Sequence, residues 1–127
     1  MFKNKYRNYK LKIAFDFDDT LTEPLFFLLA QRLILKGHDV WIMTARTNDE
    51  QYMEECDKLR MLPKTAEQNS DLIEVAKELG IENKIIYTNL EDKKEFFFNQ
   101  GFDILFDDDA EWHCNPICKA GGIAVNI

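Results

Sequence analysis

Short apolar runs alternate with longer stretches of helical periodicity along this chain, and the runs end in polar or acidic residues. The first run, residues 13–15, is β-branched and aromatic at strand length and is followed by the turn-prone Asp18-Asp19-Thr20. With Thr22 or Glu23 as cap and Pro24 in the first turn, a helix is predicted to Lys36 and closed by Gly37. Leu25, Phe26, Phe27, Leu28, Leu29, Leu33, Ile34 and Leu35 cover so much of its circumference that burial on more than one side is predicted. Residues 40–43 form a continuous apolar run that reads as a central parallel strand.

Asn48 or Asp49 caps the next predicted helix, which runs to about Arg60 with Tyr52, Met53, Cys56 and Leu59 as its core stripe and Pro63 as its end. Ser70 caps another over 71–79, with Leu72, Ile73, Val75, Ala76 and Leu79 inward and Gly80 as the stop. Residues 84–88 read as a third strand, 91–98 as a helix stopped at Gly101, and 102–106 as a fourth strand. A short helical turn within 109–119, broken at Pro116, leads to a last strand at 123–125. Strands alternating with helices predict an α/β fold with a central, mostly parallel sheet of five strands.

The strand ends carry the candidate chemistry. In an extended segment residues i and i+2 point the same way, so Asp16 and Asp18 share one pocket while Phe17 enters the core. Carboxylates that close repel unless a cation sits between them, and Mg²⁺ suits hard oxygen ligands with waters and a phosphate oxygen. The plainer reading is that such aspartates cap turns and helices. Thr44, Ala45 and Arg46 follow the second strand on the same side of a parallel sheet, and a hydroxyl and a forked guanidinium both suit a phosphate. Thr44 equally suits a plain cap. Lys93 and Lys94 stand in a first helical turn against the helix dipole, which hints that one of them faces an anion. The fourth strand repeats the acidic ending with Asp107, Asp108 and Asp109.

Composition narrows the classes. At 127 residues, 46% hydrophobic and 31% charged, the chain fits one globular domain over 11–127 with a lead-in at 1–10. A formal charge of −7 argues against broad binding to nucleic acid or anionic membranes, although Lys3, Lys5, Arg7 and Lys10 with Tyr6 and Tyr9 make a small basic and aromatic lead that suits phosphates and bases or is simply solvated. Three cysteines in no paired spacing fit a reducing, cytoplasmic setting, and His113, Cys114 and Cys118 read as buried or half-exposed groups before they read as a soft-metal site. No run approaches the roughly 20 apolar residues of a membrane span, and the start lacks the apolar core of a secretory signal.

A strand ending in DxDDT, one ending in Thr, a helix opening with Lys and a strand ending in DDD, in that order, resemble the haloacid dehalogenase superfamily over residues 11–127. The resemblance implies a Rossmann-like three-layer sandwich and a Mg²⁺-dependent phosphatase. It makes Asp16 the nucleophile and Asp18 the general acid and base, whose backbone carbonyl also reaches the metal. It assigns Thr44 to a phosphoryl oxygen, Lys93 in preference to Lys94 to charge neutralisation, Asp108 to direct metal binding, Asp107 to direct or water-mediated binding, and Asp109 to a cap. No cap domain remains, since the gaps hold only elements of the core. An open pocket then admits a phosphorylated small molecule or a nucleic-acid end, unless a second copy or another partner covers it, with selectivity left to loops such as 47–51.

The chain resembles nucleotidase-like members and polynucleotide phosphatase domains alike, and a phosphatase for another metabolite or a silent Mg²⁺-binding domain are the alternatives. A receiver-like signalling module is disfavoured, because no aspartate closes the second strand.

Overall fold

The computed structural model describes residues 9–60 and 68–127. Its strands are β1 (Lys12–Phe15), β2 (Asp39–Thr44), β3 (Ile85–Tyr87), β4 (Ile104–Asp107) and β5 (Ile123–Asn126). They form one sheet in the order β3-β2-β1-β4-β5, and every neighbouring pair is parallel. The connections carry α1 (Pro24–Leu35), α2 (Asp49–Lys58), α3 (Ser70–Leu79), α4 (Lys93–Asn99) and α5 (Asn115–Lys119).

Strand alternation divides the core into two layers. Ile13, Phe15, Val40 and Ile42 meet Ala30 of α1 and Leu72, Ala76 and Leu79 of α3 on one face. Ala14, Met43, Ile86 and Leu105 meet Phe97 of α4 and Ile117 of α5 on the other. Burying a large apolar side chain contributes about 1.5–3 kcal/mol, so a one-residue slip of any strand would exchange its faces at large cost. The result is the expected three-layer, Rossmann-like sandwich, with an all-parallel sheet and no cap domain among the described residues.

The chain order positions a crevice. β1 is followed by β2 and β3 on one side, and β4 then returns to the other side of β1. The connections leaving β1 and β4 diverge at their carboxyl ends, where parallel sheets bind ligands. Phe15 and Phe106 stack at 4.8 Å across these strands, and the Asp16 amide donates to the Phe106 carbonyl at 2.9 Å. The ladder thus extends one residue past β1 and fixes where Asp16 leaves the sheet.

Several local expectations change. α1 buries one side only: Leu25, Leu28 and Leu35 are 69%, 44% and 77% exposed, because the helix is an outer layer and no described residue covers its far face. α2 likewise buries Cys56 but exposes Met53 and Leu59, so its apolar stripe is not a core stripe. Glu23 stands at the cap of α1 without a side-chain bond, while the Thr22 hydroxyl accepts from the Asp19 amide. Asn48 caps α2 by accepting from the Gln51 amide at 2.7 Å, and α3 begins at Ser70 with Asn69 before it, so Ser70 is not the cap. Pro116 lies in the first turn of α5, where its missing N–H leaves nothing unsatisfied, rather than breaking a helix. Pro63 and positions 1–8 of the basic lead lie outside the described residues. Among the described residues no helix is long and apolar enough to cross a membrane.

Gly122, between α5 and β5, is a packing glycine. A Cβ there would lie 2.7 Å from Ile117 Cγ2 and 2.9 Å from Phe97 Cε1, both in the core. Gly122→Ala should therefore cost about 1–3 kcal/mol through overpacking. Urea unfolding would check this, and an unchanged midpoint would show that the α4–α5 layer yields freely.

Candidate active site

Asp16 sits immediately past β1, where the backbone turns out of the sheet through Asp19, a non-glycine residue at φ 60°. The Asp19 amide donates to the Thr22 hydroxyl, which braces that turn. Thr20 is fully buried by it and donates from Oγ1 to Asp16 Oδ2 at 3.2 Å. From the neighbouring strand, Asp107 closes β4 with its carboxyl buried; Asp107 Oδ1 accepts from the Asp109 amide at 2.9 Å.

Between the two carboxylates lies Lys93, the first residue of α4 and only 1% exposed. Its Nζ donates to Asp16 Oδ1 at 2.8 Å and to Asp107 Oδ2 at 2.6 Å. Of the two candidate lysines it is Lys93 that reaches the acidic edge, and the unfavourable place of a cation at a helix start is offset by two direct ion pairs. Lys94 is half-buried beside it and takes no part in this bridge.

Charge remains unbalanced. Asp16, Asp107 and Asp108 bring carboxylate oxygens within 4.8 Å of one another, and among the described residues this is the metal-ligand cluster found. Three carboxylates against one ammonium leave two negative charges in a largely buried place. Burial pushes the Asp16 carboxyl up to about 7 from 3.8; Lys93 opposes the rise, and the Asp107 charge adds to it. An all-oxygen donor set with that deficit fits a hard divalent cation such as Mg²⁺. His113, Cys114 and Cys118 form no such cluster: Cys114 is buried with its thiol pushed up to about 11 by burial, and its Sγ approaches the Asp107 carbonyl at 3.6 Å.

Asp16, Lys93, Asp107 and Asp108 line a cleft of about 180 Å³ together with Asp18, Ala45 and His113. That is below the roughly 300 Å³ at which pockets begin to enclose a whole small molecule, so the cleft suits a headgroup whose remainder stays outside. A larger hollow of about 420 Å³, lined by Asp49, Ser70, Ile73, Glu74 and Lys77, shares no residue with it.

Asp18 lines the same cleft but is held differently from Asp16. Its two carboxylate oxygens accept from Arg46 Nε at 3.0 Å and Nη2 at 2.8 Å, a bidentate pair. Arg46 also donates from Nη1 and Nη2 to Asp71 at 2.8 and 3.1 Å and lies 5.0 Å from the Phe17 ring centre. The Arg46 pKa is raised by these bonds, and Asp71 is held below the ordinary carboxylate range by its bond from Arg46. The guanidinium expected to meet a phosphate is thus engaged by two carboxylates.

Thr44 is fully buried at the end of β2, its Oγ1 accepting from the Arg46 amide at 3.2 Å, which leaves its own proton to donate. Ala45, beside it, reaches the cleft wall. Asp109 caps the following turn by accepting from the Trp112 amide, as its sequence position suggested. The loop expected over 47–51 is short, since α2 begins at Asp49; Asn69 Nδ2 ties it down by donating to the Thr47 carbonyl at 2.8 Å.

Three contributors escaped the sequence reading. Thr20 was visible only as part of a motif, and Asp71 only as an acidic residue at a helix start. His113 was visible as a possible soft-metal ligand, yet it lines the acidic cleft with Nδ1 buried and unpartnered, and burial followed by the Lys93 charge lowers its pKa from 6.5.

The raised Asp16 pKa carries a signed consequence. Without a cation, the folded state holds a proton there that the unfolded chain releases near 3.8, so this contribution is complete below about 4 and is lost as pH rises through about 7. A divalent cation competes with that proton. Saturating Mg²⁺ should therefore raise Tm by several degrees at pH 8 and by little at pH 5. Equal shifts at both values, read by thermal unfolding against a chelator control, would separate cation binding from Asp16. No protein-family model, curated protein or solved structure matches the chain.

Proposed function

We propose that the chain is a Mg²⁺-dependent phosphomonoester hydrolase that works through an aspartyl-phosphate at Asp16, on nucleotides or on 3′-phosphate ends of nucleic acid. The buried bridge from Lys93 to Asp16 and Asp107 at the β1–β4 crevice carries this reading. Phosphoryl transfer is governed by positioning and charge neutralisation, and a carboxylate nucleophile held between a fixed ammonium and a cation-sized acidic cluster meets both needs.

In the first step an Asp16 carboxylate oxygen bonds to phosphorus, the bond from phosphorus to the leaving oxygen breaks, and the Asp18 carboxyl gives that oxygen its proton. In the second, water attacks phosphorus, the Asp18 carboxylate takes the water proton, and the bond from Asp16 to phosphorus breaks to release inorganic phosphate. Lys93 holds the nucleophile by its Oδ1, and Thr20 orients the other oxygen. The Thr44 hydroxyl has a proton to give a phosphoryl oxygen. Bound at Asp16, Asp107 and Asp108, Mg²⁺ would supply charge neutralisation between nucleophile and phosphoryl group.

The small, open cleft favours substrates recognised by their phosphate, which is why termini and nucleotides are preferred over compact metabolites.

Asp16→Asn should remove hydrolysis of p-nitrophenyl phosphate by at least about 10³-fold while the protein stays folded, because the amide oxygen keeps an acceptor for Lys93, the Thr20 hydroxyl can turn to accept from the amide nitrogen, and repulsion with Asp107 is relieved. Turnover that persists with Mg²⁺ in this variant would exclude Asp16 as nucleophile. A panel of nucleotides, 3′-phosphorylated oligonucleotides and sugar phosphates tests the substrate class, and a preference for sugar phosphates would overturn it.

A further inference from the structure

An anion entering the acidic cleft meets few hydrogen-bond donors. The side chains lining it are six aspartates, Ala45, Lys93 and His113, so among the described residues Lys93 and His113 are its basic groups. Lys93 already gives two of its three N–H bonds, to Asp16 and to Asp107. Arg46, a further cation nearby, is taken by Asp18 and Asp71. A phosphoryl group brings three charged oxygens into this place, and each needs a partner. His113 takes no part in the Lys93 bridge and is the remaining basic group of the lining.

The His113 ring is held in a way that distinguishes its two nitrogens. It stands in the turn between β4 and α5, where Asp109 Oδ1 accepts from the Trp112 amide at 3.0 Å and the Asp109 carbonyl accepts from the Cys114 amide at 3.1 Å, so the backbone on both sides of it is fixed. Nδ1 is buried with no hydrogen-bond partner among the described residues. Burial, and then the Lys93 charge, lower the His113 pKa from 6.5 against the opposing charges of Asp107, Asp109 and Asp92, so at pH 7.5 the ring is neutral and carries one N–H. A buried N–H without an acceptor is rarer in proteins than a buried acceptor without a donor, which puts the proton on Nε2 and leaves Nδ1 as a bare lone pair. A protonated ring nitrogen has no lone pair to give a cation, so this tautomer suits an anion and not a metal.

We infer that His113 is a phosphate-binding residue of the cleft, donating from Nε2 to an oxygen of the substrate phosphate beside the Lys93 ammonium. The inference rests on the phosphatase reading and adds to it a recognition group outside the acidic and threonine strand ends. A neutral donor has a use here that another ammonium would lack, because it binds the anion without repelling a divalent cation held by Asp16, Asp107 and Asp108.

Glutamine and asparagine separate the two nitrogens. The amide nitrogen of Gln reaches about as far as Nε2 and that of Asn about as far as Nδ1, so His113→Gln keeps the proposed donor and His113→Asn removes it. With Mg²⁺ present, His113→Asn should raise KM for p-nitrophenyl phosphate about tenfold and leave kcat within about threefold, while His113→Gln stays within about threefold of the wild type in both. Equal effects in the two variants, or the reverse order, would overturn the inference.

Inorganic phosphate gives a readout that needs no turnover. In the wild type at pH 7.5 with Mg²⁺, long-range ¹H–¹⁵N spectra should show His113 protonated at Nε2, and titration with inorganic phosphate should shift that nitrogen. A proton on Nδ1, or an Nε2 resonance that phosphate leaves unmoved, would overturn the role of His113 even in an active enzyme. Should circular dichroism show that a His113 variant has lost its fold, the wild-type spectra decide alone. Hydrolysis that survives Asp16→Asn would instead overturn the aspartyl-phosphate mechanism and leave the phosphate titration standing.

Discussion

The structure depends on one ammonium between two carboxylates. Lys93 is almost wholly buried, and removing a charge of that kind from water costs several kcal/mol unless its partners are close and well aimed. Asp16 and Asp107 meet that demand only because β1 and β4 are adjacent, parallel and in the register that sets Phe15 beside Phe106. The sheet order is therefore a condition of the electrostatics as much as of the apolar core. The bridge in turn binds α4 to both central strands at their carboxyl ends.

The two aspartates of the first acidic turn take different environments from a separation of two residues. Asp16 is drawn against the sheet, buried beside Thr20, and pushed towards protonation by desolvation. Asp18 stays at the surface in the grip of Arg46. Under the proposed function, such divergent environments are what would suit one acid to nucleophilic attack and the other to proton transfer. Arg46 is engaged by Asp18 and Asp71 and is not free to meet an anion in this arrangement.

The fold was legible because both of its signals are local. Apolar runs of strand length and helical stripes between them gave every strand and helix to within a few residues, and the acidic and threonine strand ends fell on one edge once the strands ran parallel. Lys93 was legible for a physical reason, its misfit with a helix start. Burial was read less well. The leucines of α1 look like those of a fully enclosed helix, and only the layer count shows that one side is open. Asp71 and His113 were not legible as site residues, since no spacing rule links Asp71 to the distant Arg46 or places His113 on the acidic cleft.

The bridge from Lys93 to Asp16 joins positions 77 apart in the chain, so closing it carries a large loop entropy that only the finished sheet offsets. Residues 12–60 hold β1, α1 and β2 together with the Asp18–Arg46 pair, yet they lack both Lys93 and the acids that close β4. The acidic centre is thus complete only when α4 and β4 are both in place. Without them Asp16 stands without its Lys93 counter-charge and without the neighbouring Asp107.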